Sequence, residues 1–519
     1  MQKTIYGFIF AHSLRQQILL LLLTISAFPF LYLSLELPKT IINEAINGRD
    51  FPKSIFGLEF DQIPYLMVLC VVFLVLVLVN GAFKYTINVW KGRLGERMLR
   101  RLRYELYSRV LRFPLPHFKR VSQGEIIPMI TSEVEPVGGF IGDAVAQPVF
   151  QAGQLLTILA FILVQDPILG LAAVALYPFQ GWLIPRLQRR VNMLGKERVR
   201  MVRRLSERIG ESIAGVQEIR VNHGTRYNRA GFSEILGKIY LIRYEIFHRK
   251  FVIKFINNFI AQLTPFFFYM IGGYLVIKGD LSFGALVAVL AAYKDMSAPW
   301  KELLLFYQQK EDARIKYEQV IEQFEPQGML DARLQTEEPD EIPMFQAADE
   351  VAAHSVGYSE EGGRAMVEAA SFRFGVGGRV AILGGGGSGR DEVAMLLARL
   401  LLPVAGRITV AGRDLAHLPD AVVGRRIAYV GPSAYLFSAS IRDNMLFGLK
   451  HRPLPGVDDG PGRRDIVMEA LASGNPVDDV FSDWVDYEAA GIAGPDGVAS
   501  LLIDVATRVG LESDLYHFG

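Results

Sequence analysis

The sequence predicts an all-α membrane domain of six helices followed by a C-terminal α/β domain with a phosphate-binding loop. Three observations predict this combination. Long stretches of the first half carry no charge, and the segments between them are basic and helical in pattern. In the second half, a glycine-rich turn lies between an apolar run and a helical pattern. Apolar residues make up 51% of the 519 residues, a high share for a wholly soluble chain.

Charge and cysteine content exclude several classes of function. The 55 Lys and Arg residues almost balance the 54 Asp and Glu residues, and a net charge of +1 predicts no nucleic-acid partner. The single cysteine, Cys70, excludes an intramolecular disulfide and argues against a thiolate metal cluster. Because it lies in an apolar run, we interpret Cys70 as a small buried hydrophobic residue.

Five uncharged stretches are long enough to cross a bilayer, which takes about 20 apolar residues in a helix. They lie at residues 15–36, 61–84, 143–166, 166–186 and 254–278, and a sixth, shorter stretch runs from Leu281 to Lys294. A charge at the centre of a span costs about 3 kcal/mol, so the lack of charge is informative. The first stretch has no small-residue cleavage site, and we interpret it as a retained span rather than a signal peptide.

The basic residues predict the orientation of the spans. The segments at 84–143 and 186–254 are rich in Arg and Lys, whereas the connections at 36–61, around Asp166 and at 278–280 carry few. The positive-inside rule therefore places both basic segments and both termini in the cytoplasm of an inner (plasma) membrane protein. Six spans satisfy this arrangement, whereas five would leave the C-terminal half outside. The sixth stretch is therefore counted as a span.

The two basic segments are predicted to be helices that extend below the membrane. Apolar residues four positions apart form one stripe along the first segment: Leu94, Met98, Leu102, Leu106 and Val110. Turn-forming residues interrupt the segments at 113–125 and 212–225, which predicts short elements at the tips of helical hairpins. The predicted domains are a membrane domain at 1–310, a helical and acidic linker at 311–350 and a soluble domain at 351–519.

The glycine-rich turn lies within "AILGGGGSGRDEVAMLL", residues 381–397. The apolar run at 378–383 has the length of a buried strand, and the residues after the turn have a strong helical pattern. A strand, a glycine turn and a helix aim the unpaired N–H groups of the helix N-terminus at a phosphate. A flexible surface turn is the alternative, and it would be favoured by irregular flanks.

Two positions depart from the phosphate-loop pattern G-x-x-x-x-G-K-[ST]. The residues predicted to hold a nucleotide are Gly384, Gly387, Ser388, Gly389, Arg390 and Asp391. Arg390 stands where a lysine would reach the phosphates, and its planar fork is not equivalent to an ammonium group. Asp391 stands where a hydroxyl would hold Mg²⁺. A carboxylate binds magnesium but adds negative charge beside the phosphates, so weakened binding is predicted.

The six spans, the two basic hairpins and the glycine loop resemble the half-transporters of the ATP-binding cassette (ABC) exporter family. Residues 403–415 are similar to the strand pair that follows the loop helix in this family, and residues 425–448 end in its L-F-x-x-[ST]-I-R-x-N pattern. The resemblance implies a six-helix exporter domain and a partial ABC ATPase domain. It also implies ATP and Mg²⁺ as cofactors, coupling helices at the two tips, and a homodimer or a heterodimer with another half-transporter in the lipid bilayer. Tyr358 stands near the position where the family stacks an aromatic ring on adenine, and a structural aromatic is the alternative.

The chain departs from the family at several positions. Pro432 stands in place of a glutamine that senses Mg²⁺, and no LSGGQ-like signature, Walker B strand with its Asp-Glu pair or switch histidine is found in the 519 residues. The segment 500–507 around Asp504 is better interpreted as an amphipathic helix, and His517 has no motif around it. No catalytic residue is therefore assigned, and a homodimer of these residues is expected not to hydrolyse ATP at a useful rate.

Three functions stay open at this point. The first is an exporter subunit that couples ATP binding to efflux with help from a complete partner cassette. The second is a non-transporting docking or regulatory membrane protein with a remnant cassette, and the third is a truncated, non-functional product. The sequence does not specify a substrate.

Overall fold

A computed structural model describes residues 2–46, 51–55, 58–165, 167, 171, 175–279, 283–339, 341–359, 363, 365–432, 435–454 and 461–518. The chain divides into two compact units. The first, the helical unit, comprises Met1–Tyr107 and Ser122–Phe324. The second, the cassette unit, comprises Ser108–Val121 and Glu325–Gly519. The boundary at residue 324 lies inside the segment 311–350, which the sequence predicts to be a linker.

Long helices dominate residues 2–324. The helices are α1 (Ile5–Thr40), α2 (Gln62–Val110), α3 (Leu115–Arg120), α4 (Gln123–Pro128), α5 (Glu135–Asp143), α6 (Ala146–Gln165), α7 (Tyr177–Ala214), α8 (Val216–Val221), α9 (Thr225–Phe267), α10 (Gly273–Lys278) and α11 (Phe283–Phe324). Strands β1 (Lys53–Ile55) and β2 (Leu58–Phe60) pair antiparallel between α1 and α2. The helical class predicted for this half of the chain is confirmed.

Four helical segments are long and apolar enough to cross a membrane among the residues described. They are Ile5–Pro38, Gln62–Val110, Ala146–Val164 and Thr225–Lys278, which correspond to the first, second, third and fifth predicted spans. The other two predicted spans fall partly outside the described residues, since much of 166–174 and residues 280–282 are not described. Where the structure describes them, they are helical, in α7 and α11.

The outward face of the spans is apolar. Along α2, Val71 is 60% exposed and Leu78 is 64% exposed, and their neighbours Leu74 and Val75 are exposed as well. In a bilayer such side chains contact lipid, so their apolar surface is not exposed to water. Cys70 lies on this exposed face, so the prediction that it is buried was wrong. An apolar run shows that a residue avoids water, but a lipid-facing position satisfies that requirement as well as a protein core.

The basic segments form helices that continue directly from the spans, as predicted. The stripe on α2 faces inward, with Leu94, Met98, Leu102 and Leu106 buried. Turns interrupt the two basic segments at the predicted places. The first ends at 111–114 before the short α3, and the second turns at Gly215 and again at 222–224 on either side of α8.

The cassette unit is built on a four-stranded antiparallel sheet. The strands are β3 (Glu350–Ser359), β4 (Ala365–Gly375), β5 (Ala405–Val410) and β6 (Arg413–Asp414), in the order β4-β3-β5-β6. The helices after residue 324 are α12 (Ala332–Thr336), α13 (Arg390–Leu397), α14 (Asp420–Arg426), α15 (Ile441–Met445), α16 (Pro461–Ser473), α17 (Val498–Arg508) and α18 (Glu512–Phe518). The main core packs β3, β5, α13 and α14 together through Val356, Ile408, Leu396 and Val422.

Residues 378–383 do not form the buried strand that the sequence predicts. They belong to no helix or sheet among the described residues, and Val380, Ile382 and Leu383 are exposed, the last at 90%. Residues 427–430 likewise belong to no helix or sheet, and Val430 is 93% exposed. An apolar run becomes a buried strand only when neighbouring strands pair with it and helices cover it. Apart from an isolated bridge between Lys450 and Val485, strand pairing in the described part of this unit is confined to the antiparallel sheet.

Candidate functional site

The glycine turn lies where the sequence places it, at the start of a helix. Gly387 and Gly389 have φ angles of +73° and +84°, in the left-handed region that L residues with side chains rarely adopt. Gly389 is the N-cap residue of α13, which begins at Arg390. The backbone N–H of Ser388 donates to the carbonyl of Gly385 at 3.2 Å and closes the turn. The N–H groups at the N-terminus of α13 are therefore presented by a tight, glycine-dependent loop.

Close packing also constrains this loop. A Cβ atom at Gly389 would collide with the carbonyl oxygen of Met366 in β4 and lie 3.3 Å from Cγ2 of Val367. A Cβ atom at Gly384 would collide with Oγ of Ser388. Gly385 and Gly386 have open space around the corresponding position. The loop is thus closely packed against β4 at Gly389 and against its own Ser388 at Gly384, so a side chain at either glycine would disturb it.

The two non-standard residues interact within the loop itself. Nη1 of Arg390 donates to the carbonyl of Gly384 at 2.9 Å, and its Nε lies 3.4 Å from Oδ1 of Asp391. The guanidinium is therefore held across the mouth of the loop by a carbonyl and a carboxylate. Asp391 and Glu392 occupy the first turn of α13, where their negative charge already interacts with the helix dipole. A phosphate would have to displace Arg390 and share this site with two carboxylates.

The donor set fits magnesium only in part. Asp391 is the one predicted metal ligand, and its side chain is largely exposed and adjacent to Arg390. The described residues contain no cluster of three or more His, Cys, Asp or Glu side chains arranged to hold a metal ion. Mg²⁺ in such a site takes most of its ligands from water and from the nucleotide phosphates, so one carboxylate provides a weak anchor.

Tyr358 lies close to the loop but is buried. It pairs with Val367 across β3 and β4, and Val367 is also the residue that Gly389 approaches. The Tyr358 ring is part of the cassette core and only 6% of the residue is exposed. Its role as an adenine platform therefore stays a prediction that requires the ring to become more accessible.

An apolar groove in the cassette unit joins Tyr358 to the first tip. The groove has a volume of about 680 Å³, and its lining includes Phe113, Leu115, Tyr358, Leu400 and Pro403. The segment 108–121 is also anchored by the N–H of Leu330, which donates to the carbonyl of Arg112 at 3.0 Å. The tip that the sequence places at a cytoplasmic domain therefore forms one compact unit with 325–519.

Residues 399–404 form one side wall of this groove. The guanidinium of Arg399 donates to the carbonyl of Leu418 and pairs with the carboxylate of Asp420. Its side chain is 7% exposed, and burial lowers the pKa of Arg399. These contacts hold the 399–404 turn against α14.

The second tip, α8, is exposed and carries apolar side chains among charged ones. Ile213, Val216 and Val221 are exposed around it, and Val221 reaches 83%. His223 in the following turn has a φ of +52°. Three apolar side chains at the end of a charged hairpin are a surface that favours contact with another protein.

The segment that resembles the family pattern L-F-x-x-[ST]-I-R-x-N is organised by its last residue. Oδ1 of Asn444 accepts from the N–H of Phe437 at 2.8 Å, and Nδ2 of Asn444 donates to the carbonyls of Phe437 and Ser440 at 3.1 and 3.0 Å. Ser440 caps α15, its Oγ accepting from the N–H of Asp443 at 3.0 Å. Lys450 and Ser440 both bond the Asp443 carboxylate, which lowers its pKa. Two polar residues of the pattern therefore have a structural explanation in this chain, because Ser440 caps α15 and Asn444 closes the loop that precedes it.

A polar cavity lies among the apolar helices of the helical unit, and sequence reasoning missed it. Its volume is about 570 Å³, and residues of α1, α2, α6 and α11 line it. Gln147, Gln151 and Gln154 fall on one face of α6, at positions i, i+4 and i+7. Asn80, Lys84 and other polar residues of α2 face the same space. The helical spacing of the glutamines is a signal that could have identified this face.

Part of the cavity wall is a polar network. Nζ of Lys91 donates to Oε1 of Gln147 at 2.8 Å and pairs with Asp143 at 2.9 Å. Nε2 of Gln147 lies 3.5 Å from Oε2 of Glu302. No hydrogen bond or ion pair is found for Lys84, Gln151 or Gln154 within the described part of the chain. The cavity therefore lies where the uncharged stretches 61–84 and 143–166 end at their basic flanks, and it brings amides of α6 beside charged residues of α2 and α11.

Sequence comparison connects these features to known proteins. The family model described as "ABC transporter transmembrane region" matches residues 7–298. An uncharacterised ABC transporter ATP-binding protein of Bacillus subtilis is 24% identical over 414 residues, which cover 79% of this chain and 65% of that protein. An ATP-dependent lipid A-core flippase of Burkholderia orbicola is 23% identical over 380 residues, covering 72% of this chain and 62% of the flippase. The chain thus spans less than two thirds of the length of these relatives.

Structural comparison gives the same result for the fold. The structure of a bacterial Atm1-family ABC exporter with ATP bound matches with a TM-score of 0.68 and 17% identity, over 88% of this chain and 76% of that one. The helical unit therefore has the exporter fold, and the small antiparallel sheet is consistent with part of a nucleotide-binding domain. The family model covers more than half of the 519 residues. The polypeptide, with its long apolar helices and basic helical hairpins, belongs to the ABC transporter transmembrane region family.

Proposed function

We propose that the protein is an exporter subunit that couples nucleotide binding in its cassette unit to movement of a substrate through its helical unit. The single observation that carries this proposal is the loop at 384–391. Two left-handed glycines lead into the N-terminus of α13 in a chain that also has an exporter-type helical unit. The resemblance to ABC half-transporters assigns ATP to such a loop.

The roles of the loop residues follow from their positions. Backbone N–H groups of 387–390 hold the phosphates, Arg390 supplies a positive charge, and Asp391 with water holds Mg²⁺. Bound Mg²⁺ would neutralise phosphate charge. Tyr358 contacts the adenine. Because Arg390 must first leave the carbonyl of Gly384, and because two carboxylates flank the site, the affinity for ATP is low.

Hydrolysis, where it occurs, is supplied by a partner cassette in a homodimer or heterodimer. The tips α3 and α8 act as coupling helices, and the apolar exposed α8 contacts the partner. The protein lies in the inner membrane with both termini in the cytoplasm, as the distribution of basic residues favours. The names of the relatives, which include a lipid A-core flippase and a putative multidrug export protein of Bacillus subtilis, support an amphipathic substrate.

The polar cavity of the helical unit is proposed to hold the polar part of the substrate. Lys84 and the amides of Gln151 and Gln154 supply donors to a hydrophilic group, while the surrounding spans accept an apolar portion. A substrate that carried only apolar groups would leave these donors without partners and would bind poorly.

Vesicle transport tests this proposal. The full chain is reconstituted with a complete ABC half-transporter, and ATP-dependent movement of fluorescent amphipathic dyes and lipids is measured. Substituting two of the three cavity glutamines, Gln151→Leu and Gln154→Leu, is expected to reduce transport at least about tenfold, since each lost hydrogen bond costs about 1 kcal/mol or more. Thr157→Val on the same helix is the control, because Thr157 bonds the carbonyl of Gly153 at 2.8 Å and does not line the cavity.

Equal transport by the cavity variant and the control would contradict the assignment of the cavity. If the movement of every dye and lipid were independent of ATP, the exporter function itself would be contradicted. The second candidate, a docking or regulatory membrane protein, is favoured by the exposed, unpaired apolar segments at 378–383 and 427–430. It predicts stable capture of a partner cassette with no ATP-dependent movement of any substrate.

A further inference from the structure

A second cavity of the helical unit is strongly basic. It has a volume of about 440 Å³ and lies between α7, α9 and α11. Three lysines from two helices line it, Lys250 and Lys254 on α9 and Lys301 on α11. No aspartate or glutamate is among its lining residues. A space with three positive charges and no negative charge attracts an anion.

Two other lysines of α9 and α11 have carboxylate partners. Lys238 on α9 pairs with Glu234 at 3.2 Å, and Lys316 on α11 pairs with Asp312 at 2.9 Å. No ion pair or hydrogen bond is found for Lys250, Lys254 or Lys301 among the described residues. Ammonium groups that share one cavity repel one another, and an anion between them converts this repulsion into attraction.

Uncharged groups in the cavity add a second line of evidence. Oδ1 of Asn257 is buried and has no hydrogen-bond partner among the described residues. The oxygen and nitrogen of an amide side chain are assigned by their partners, so rotation of this group would present an N–H donor to an anion. The floor is apolar, with Ile184 and Ile253 buried in a cluster that Leu304 contacts. The cavity therefore combines cationic walls, an unsatisfied amide and an apolar base.

The position of the cavity along the spans indicates where its ligand comes from. Lys254 is the last charge before the uncharged stretch 254–278, and Arg186 is the first charge after the stretch 166–186. The cavity residues on α9 therefore lie at the cytoplasmic end of a span in the proposed orientation. Phosphate groups of anionic lipids lie at this depth and attract Lys and Arg side chains.

We propose that Lys250, Lys254 and Lys301 form a binding site for a phosphate group. Lysine ammonium groups bind phosphate as compact point charges without a fixed geometry, which suits three flexible side chains around an open cavity. The phosphate belongs to an anionic lipid headgroup or to a free phosphate or diphosphate ion. None of the residues 384–391 lines this cavity, so phosphate binding here can be measured without nucleotide.

The experiment uses the full chain in nanodiscs and a variant that removes all three charges, K250Q/K254Q/K301Q. The control variant K196Q/K238Q/K316Q removes three lysines from α7, α9 and α11 outside the cavity and changes the net charge equally. The first arm measures anionic lipid that co-purifies from nanodiscs containing phosphatidylglycerol and phosphatidylcholine. The second arm measures the thermal shift caused by inorganic phosphate and diphosphate in phosphatidylcholine alone.

The wild type and the control variant are expected to retain phosphatidylglycerol or to be stabilised by diphosphate. The cavity variant is expected to lose at least about two thirds of that effect, and the effect in the wild type is expected to weaken as salt is raised. The arm that responds identifies the source of the phosphate. A second variant, K250R/K254R/K301R, keeps the charge and is expected to keep binding, and an unchanged unfolding midpoint of the cavity variant without ligand excludes misfolding as the cause of a loss.

Two results would overturn the proposal. One is an equal loss of binding in the cavity variant and in the control variant. Binding would then depend on the overall surface charge and not on the cavity. The other is a wild type that responds neither to phosphatidylglycerol nor to either phosphate ion. Both are distinguishable from failure of the exporter function, because neither readout involves ATP or transport.

Discussion

Gly389 carries two constraints that the other glycines of its loop do not combine. Its φ angle of +84° is in the left-handed region, and its Cα lies so close to β4 that a Cβ would collide with the carbonyl of Met366. Gly386, three residues earlier, has neither constraint. The stretch "GGGGSG" at 384–389 therefore contains glycines of unequal importance, and the constraint at Gly389 is visible only because β4 lies next to the loop.

Substituting Gly389→Ala is expected to destabilise the cassette unit by at least about 1–2 kcal/mol, the cost of the left-handed conformation for a residue with a side chain, before the collision with β4 is added. Thermal unfolding of the full chain in detergent, with limited proteolysis of the cassette unit as a second readout, measures this effect. The matched control is Gly386→Ala, which is expected to change the midpoint little. Equal destabilisation by the two substitutions would contradict the geometry of the loop.

The departures at Arg390 and Asp391 were identified from the sequence, but their interactions were not. The sequence shows a guanidinium in place of an ammonium group, and only the structure shows that it bonds the carbonyl of Gly384. For Cys70 the sequence predicted apolar surroundings and failed to distinguish lipid from protein core. Single residues are predictable in chemical type, while their partners depend on contacts that are distant in sequence.

Helix α5 contacts α2 through glycines. A Cβ at Gly95 would lie 2.8 Å from the carbonyl oxygen of Gly138, and a Cβ at Gly142 would collide with the carbonyl oxygen of Lys91. Gly138 and Gly142 are four residues apart and so share one face of α5. Small residues at this spacing let two helix backbones approach closely. This contact also positions Asp143 beside Lys91, at the edge of the polar cavity.

Substituting Gly142→Ala is expected to destabilise the helical unit by about 1–3 kcal/mol, because the backbone of α2 must move to admit a methyl group. Gly139→Ala, on the same helix, has open space around its Cβ position and is the control. The midpoint of thermal unfolding in detergent or nanodiscs measures both. If Gly139→Ala lowers the unfolding midpoint as much as Gly142→Ala does, the close contact between α2 and α5 is not the cause of the destabilisation.

Elements were predicted well where their pattern is local. The buried stripe of α2, the turns on either side of α3 and α8, and the amphipathic helix α17 around Asp504 all follow from spacing within one segment. The run 378–383 was predicted as a buried strand and is exposed. A helix satisfies its own hydrogen bonds, whereas a strand needs partners, and apolar composition alone does not supply them.

At the scale of the whole molecule, the two units follow different physical rules. The helical unit presents apolar side chains outward, as a lipid environment allows, and keeps polar groups for cavities such as those around Gln151 and Lys254. The cassette unit has a conventional core around β3 and β5 and exposes apolar segments at 378–383 and 427–430. The helical unit was predicted from the uncharged stretches of the sequence. The cassette unit was predicted from the glycine-rich loop. Both cavities escaped prediction, because each assembles residues from three or four helices.

Binding of MgATP to the full chain in nanodiscs tests the central claim, that an exporter-type protein retains an impaired nucleotide loop. A fluorescent ATP analogue is titrated against the wild type and against Arg390→Lys combined with Asp391→Ser. The double variant, with an ammonium group and a hydroxyl at these positions, is predicted to bind at least about tenfold more tightly, a gain of about 1.4 kcal/mol. Equal or tighter binding by the wild type, or no binding by either protein, would contradict the account.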